Sequence, residues 1–187
     1  MNTDIDLVKS YNLFLDQKQR FVSELRRIDK DVKITIDPKK PNINNPGNWY
    51  MGFVPSSWGD FEQGMHGVHF EFAYYYEKTT RNEYVRFSVG IENPFTIMYR
   101  HQFKSEVIEA MNLRGISLPE FTIWPNAGVI HGRKLIEYRV ALDSHAWKNV
   151  IEKYKELTRT GFIGLVADFM KQYNDRGCFT EQIEFSD

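Results

Sequence analysis

Between Val68 and Ile91 the chain alternates apolar and polar residues in two runs, one on each side of Lys78–Arg81, and no other feature restricts its fold as much. Val68, Phe70, Phe72, Tyr74 and Tyr76 interleave with His69, Glu71, Ala73, Tyr75 and Glu77. After the break, Val85, Phe87, Val89 and Ile91 interleave with Tyr84, Arg86, Ser88 and Gly90. A period of two belongs to a strand with one buried face, and a short break between two such runs makes an antiparallel hairpin. Pairing the runs about this turn sets Glu71 opposite Ser88, Ala73 opposite Arg86 and Tyr75 opposite Tyr84, with His69 near Gly90.

The flanking segments add helices and further strands. From Thr3 to Ile28 apolar residues recur every three or four positions, which predicts a long amphipathic helix capped by Thr3 or Asp4. Val32–Asp37 and Trp49–Val54 read as strands separated by a Pro/Asn-rich loop, and Ser56–Gly67 as an irregular loop carrying Trp58 and Phe61. Pro94 suits a first helical turn, and the stripe Phe95, Met98, Tyr99, Phe103, Val107, Ile108 and Met111 carries that helix to Leu113. Phe121–Trp124 and Lys134–Leu142 are further strands. Asp143 or Ser144 is the expected cap of a helix ending near Leu157, and a last helix runs from Phe162 to about Tyr173. Cys178–Phe185 could pair as an edge strand or stay loose. Helices thus fall between groups of strands. The expected fold is α+β, with a mainly antiparallel sheet, a central β-hairpin, a long N-terminal helix and C-terminal helices packed on it. No linker divides the chain, so residues 1–187 are expected to form a single domain.

Composition narrows the classes of function. Lys and Arg number 24 against 25 Asp and Glu, so no long-range field draws the chain to nucleic acid or to an anionic membrane, and such binding needs a local patch. The single cysteine, Cys178, excludes an intramolecular disulfide and every zinc motif needing two thiols. No apolar run is long enough to span a bilayer, and the first residues lack the basic and apolar regions of a secretory signal. The expectation is a soluble, cytoplasmic protein with no membrane contact.

The polar face of the hairpin is the first candidate site, because His69, Glu71, Arg86 and Ser88 share it with Tyr75 and Tyr84. Arginine beside tyrosine suits stacking on bases or anchoring a protein partner, while His69 and Glu71 could cooperate in acid–base work. Trp58 joins the set as a large ring in a loop. His66 and His69 could contribute to a metal site but lack further ligands nearby, so no metal is assigned. Asp37-Pro38-Lys39 and Glu137-Tyr138-Arg139 are poor versions of the acid-x-lysine string of metal-dependent nucleases, and Cys178 beside Arg176 lacks a base close in sequence. Glycine-rich cofactor fingerprints are absent, so no cofactor and no catalytic residue are assigned.

Taken in order, the long first helix, the Trp49 segment, Gly67–Phe72 (GVHFEF), Glu83–Glu92 (EYVRFSVGIE), the helix through Phe103–Met111 (FKSEVIEAM), Phe121–Trp124 (FTIW) and the Trp147 helix resemble a bacterial domain of unknown function. That family occurs near restriction-type, PD-(D/E)XK-like nuclease modules. The resemblance covers roughly Leu7 to Tyr173. It implies a bacterial or phage setting and a role connected with nucleic-acid defence or counter-defence, without functional residues to carry over. The reading that follows is a non-enzymatic binding module contacting protein or nucleic acid. Its rivals are a metal-dependent nuclease or phosphodiesterase using Glu71, Glu92 and Glu137, and a small-molecule sensor enclosing a ligand behind the Trp58 loop.

Overall fold

Ten residues on each side of the Lys78–Arg81 turn pair in one unbroken antiparallel register, and the rest of the sheet is built outward from that hairpin. The structure is a computed structural model that describes residues 6–37, 49–58, 67–91, 97–124 and 133–178. Its elements run α1 (Leu7–Ile28), β1 (Lys33–Ile36), β2 (Tyr50–Val54), a single 3₁₀ turn (Ser56–Trp58), β3 (Val68–Glu77) and β4 (Asn82–Ile91). They continue with α2 (Ile97–Leu113), β5 (Thr122–Ile123), β6 (Lys134–Ala141), α3 (Ala146–Arg159) and α4 (Phe162–Asp175). The six strands form one sheet in the order β1-β2-β3-β4-β6-β5, and every pairing is antiparallel. This is the expected α+β architecture, with the hairpin at its centre.

One face of the sheet is closed by helices. Phe53, Phe70 and Phe87, on three adjacent strands, stack with ring centroids 5.2 Å (Phe53–Phe70) and 5.3 Å (Phe70–Phe87) apart. From α1, Phe14 and Phe21 pack onto Phe72, and from α3, Tyr154 meets Phe53 and Phe70 edge-on. Burying each such ring is worth roughly 1.5–3 kcal/mol, and offset or edge-on pairing adds about 0.5–1.5 kcal/mol. The chain's many aromatic residues are therefore largely spent on this layer. Phe103 of α2 packs against Phe169 and Tyr173 of α4, and the buried apolar residues of the sheet and helices belong to one continuous core.

Helix ends show where local signals gave way to distant partners. α1 begins later than its periodicity suggests: Asp6 is the N-cap and its carboxylate accepts from the Lys9 amide at 3.1 Å, while Thr3 and Asp4 lie outside the described residues. Neither Asp143 nor Ser144 caps α3. His145 holds that position without a side-chain cap bond, and the orphan Trp147 amide is met by Gln17 Oε1 at 3.2 Å, reaching across from α1. The break between α3 and α4 rests on Gly161 at φ 79°, in the left-handed region where a Cβ is strained. Pro94 and the segment after Cys178 lie outside the described residues. Trp58 is a correction. Expected as a loop ring available to a ligand, it is 2 % exposed, stacks on Phe70 and donates its indole N–H to the Ile163 carbonyl at 2.9 Å, so it belongs to the core.

Candidate functional site on the open sheet face

Alternation sends every second residue of the central strands away from the helices, and the register arranges those residues in rows. One row reads Gly52, Glu71, Ser88, Glu137 and Thr122 across β2, β3, β4, β6 and β5. The next, toward the hairpin turn, reads Tyr50, Ala73, Arg86 and Arg139, and the one beyond it Tyr75, Tyr84 and Ala141. On the other side of the Glu71 row, His69, Gly90 and Lys134 are neighbours. Parity alone would turn Lys134 toward the helices with Ile136. The register slips between Val89 and Gly90, and this irregularity brings Lys134 to the open face.

Glu71 is the hub. Its Oε2 accepts from Ser88 Oγ at 3.0 Å and from Arg86 at 3.4 Å, and its Oε1 lies 3.5 Å from His69 Nε2. Burial alone would raise this carboxyl. The His69 hydrogen bond, the Arg86 charge and the Ser88 hydroxyl outweigh burial and bring it down to about 2. Gly90 makes the arrangement possible: a Cβ there would stand 3.2 Å from Glu71 Oε1 and 3.3 Å from His69 Nε2. His69 and Ser88 are each only 1 % exposed.

Glu137 is the second anchor. Its Oε1 accepts from Arg139 Nε at 2.6 Å and its Oε2 from Lys134 Nζ at 2.5 Å. Burial works against its ionised form, but the bond and charge of Lys134, helped by Arg139, keep its carboxyl below the ordinary value. Lys134 is itself pushed down, first by burial and then by the neighbouring Arg86 charge. Toward the hairpin turn the surface opens. The Arg139 guanidinium sits 4.4 Å from the centre of the half-buried Tyr75 ring, with Arg86 at 6.0 Å. Tyr84, beside it, accepts from Asn82 at 3.2 Å. Arg86 Nε is buried and has no hydrogen-bond partner among the described residues.

The structure thus brings together His69, Glu71, Tyr75, Tyr84, Arg86 and Ser88, and leaves Trp58 on the opposite side of the sheet. Sequence reasoning missed Arg139 and Lys134 as members of the set. Alternation already put Glu137 and Arg139 on one face of β6, but nothing local says that β6 lies beside β4. Of the acid-x-lysine strings, Asp37 pairs with Lys18 at 2.6 Å and Glu137 with the two cations just described. Glu92, Pro38, Lys39 and His66 lie outside the described residues. Among the described residues no three His, Cys, Asp or Glu side chains are grouped to hold a metal ion, and no helix is long and apolar enough to cross a membrane. Compared with known protein families, curated proteins and solved structures, the chain matches none.

Proposed function

We propose that this protein is a non-enzymatic binding module that takes a nucleic-acid or protein partner on its open sheet face, through Tyr75, Tyr84 and Arg86. The observation that carries the reading is the Tyr75 ring held against the guanidinium of Arg139 and flanked by Arg86. A half-exposed ring fixed in this way presents a flat surface whose ordering cost is already met, which suits stacking on a base or seating an apolar partner side chain. Locally the face carries Lys134, Arg86 and Arg139 against Glu71, Glu137 and Glu77, the last 4.0 Å from Arg139, so its charges balance and the aromatic surface rather than net charge supports the reading. The resemblance to a bacterial domain found beside restriction-type nucleases makes a defence or counter-defence setting part of this proposal.

The nuclease reading has one observation in its favour, since Glu71 and Glu137 flank Ser88 on the same face. Both carboxylates are engaged by the chain's own cations and hydroxyl, which favours binding over metal-assisted hydrolysis. The sensor reading has lost its anchor, because Trp58 is packed in the core.

The test is a mobility shift with fluorescent single- and double-stranded DNA and RNA at low and moderate salt, with and without manganese. Stacking on one tyrosine is worth about 1–3 kcal/mol, so Tyr75→Ala is expected to weaken salt-sensitive binding roughly five- to 150-fold while the melting temperature moves by no more than a degree or two. Manganese-dependent cleavage lost in Glu71→Gln would replace this reading with the nuclease. If no nucleic acid binds, the protein-partner arm is tested by affinity capture with wild type and the Tyr75→Ala/Tyr84→Ala double variant. Equal capture by both would remove the face.

A further inference from the structure

At the rim of the sheet, β6 carries an open edge. The Leu142 amide donates to the Glu83 carbonyl at 2.9 Å, so the even-numbered residues of β6 turn their backbone groups toward β4. The odd-numbered residues turn theirs the other way: the Leu135 carbonyl accepts from the Trp124 amide at 3.0 Å, and Glu137 faces Thr122 of β5. The same register, carried on, would set Glu120 against Arg139. β5 does not reach that far. Its chain closes a turn in which the Phe121 amide donates to the Leu118 carbonyl at 3.0 Å, and Glu120 pairs instead with Lys153 of α3. Arg139 and Ala141, both exposed, are left with N–H and C=O groups aimed outward and no strand beside them among the described residues.

Such an edge is a template for one more strand, and a row of outward backbone groups is met by an extended chain rather than by a compact ligand. We propose that the β6 edge at Arg139–Ala141 takes an extended acidic segment of a partner protein as a further antiparallel strand. Charge sets the chemistry of that segment. Arg139 stands directly opposite Arg86, and their row across the sheet, with Tyr50 and Ala73, holds two cations and no carboxylate. Glu137 and Glu77 reach Arg139 from other rows. Like charges on facing strands repel, so an acidic residue on the outer side of Arg139 makes the favoured cross-strand pair. The chain's own Glu120 lies in line for that position and is turned away from it. β5 also shows the alternation that a neighbour of β6 needs, with Thr122 on the open face and Ile123 toward the helices. The residue facing Val140, which is half-buried against the core, is accordingly apolar. This edge works through backbone groups and does not depend on what Tyr75 and Tyr84 bind.

Fluorescence anisotropy of a short labelled peptide alternating valine and glutamate, titrated with the whole chain at pH 7, tests this directly. Saturable binding is expected, and Ala141→Pro should weaken it roughly tenfold. Proline removes one outward donor and leaves the hydrogen bonds to β4, made by even-numbered residues, in place, as circular dichroism will show. Changes to the peptide leave folding out of the question. With glutamate facing Arg139, the glutamate amides point at β6 and the valine amides point away, so N-methylation of the glutamates should weaken binding roughly tenfold and N-methylation of the valines should not. A valine–lysine peptide should bind at least threefold more weakly. The Tyr75→Ala/Tyr84→Ala double variant should bind the valine–glutamate peptide as wild type does, whatever becomes of its other partners. Absence of saturable binding by folded wild type, or binding indifferent to both Ala141→Pro and glutamate N-methylation, overturns the proposal. So does loss of binding in the tyrosine double variant alone, which would move the peptide to the face. A dimer in sedimentation that Ala141→Pro abolishes and the peptide does not displace would give the edge to a second copy of the chain and overturn it as well.

Discussion

The open face of the sheet and the inner stripe of α2 both hold enclosed charge, and they handle it in opposite ways. On the sheet, Glu71 and Glu137 lie within hydrogen-bond or ion-pair distance of His69, Arg86, Ser88, Lys134 and Arg139. On α2, Lys104 has no such neighbour among the described residues. A network of paired charges stiffens its surface, even with Arg86 Nε left without a hydrogen-bond partner among the described residues, whereas a buried ammonium with no hydrogen-bond partner costs the fold free energy. The sheet therefore offers a preorganised platform, and the helix keeps a costly buried cation.

The largest effect that can break this contrast is loss of the hub carboxylate. Glu71→Gln keeps the shape but leaves Arg86 enclosed without its counter-charge, and removing one member of a buried pair costs about 3–5 kcal/mol. The carboxyl held near 2, against 4.5 for a free glutamate, corresponds to roughly 3 kcal/mol by linkage. Because the folded-state value is depressed, that stability is present above about pH 4.5 and is lost as pH falls toward 2. Urea denaturation should show the variant weaker by this amount at pH 7 and converging on wild type in acid. A constant gap across that range would mean that the charge is not what Glu71 contributes.

Next in size, and opposite in sign, is Lys104. Its ammonium is held near 8 rather than 10.5, so between those values the unfolded chain binds a proton that the folded chain has released. Stability from this group therefore rises as pH climbs from about 8 to 10.5, and the cost below pH 8 is roughly 3 kcal/mol. Lys104→Met should be more stable than wild type at pH 7 by an amount of this order, measured by urea denaturation, and the advantage should shrink toward pH 10. A variant less stable than wild type at neutral pH would show that Lys104 is already compensated and would erase the difference between the two regions.

How much of this was legible in the sequence depended on how far apart the partners lie. The hairpin register came directly from period-two alternation about a short turn, and with it the shared face of His69, Glu71, Tyr75, Tyr84, Arg86 and Ser88. Contacts made by distant segments were not legible. That β6 lies beside β4, that an irregularity turns Lys134 over, that Gln17 caps α3 and that the Ile163 carbonyl draws Trp58 into the core are all settled by tertiary packing. Lys104 is an intermediate case. It sits between Phe103 and Val107 on the stripe that predicted α2, so a polar residue on a buried face was visible, but only the structure shows its Nζ buried with no hydrogen-bond partner among the described residues.

The smallest test sharpens the sheet half of the contrast without touching a charge. Gly90→Ala adds one methyl group, and its Cβ would stand 3.2 Å from Glu71 Oε1 and 3.3 Å from His69 Nε2, closer than most real Cβ contacts. Gly90 sits within β4 rather than in a left-handed turn, so the substitution carries no backbone penalty and should gain a little from reduced unfolded-state entropy, about 0.4–1 kcal/mol. If the network is rigid, the methyl group forces Glu71 away from His69, and overpacking costs of about 1–3 kcal/mol exceed that gain. The expected result is a net loss of roughly 1 kcal/mol in urea denaturation, with the acid limb of the stability curve shifted to higher pH as Glu71 loses the His69 bond that helps hold its carboxyl down. Wild-type stability with an unshifted acid limb would mean that Glu71 and His69 can move apart freely, and the platform would then lack the stiffness that separates it from the buried cation on α2.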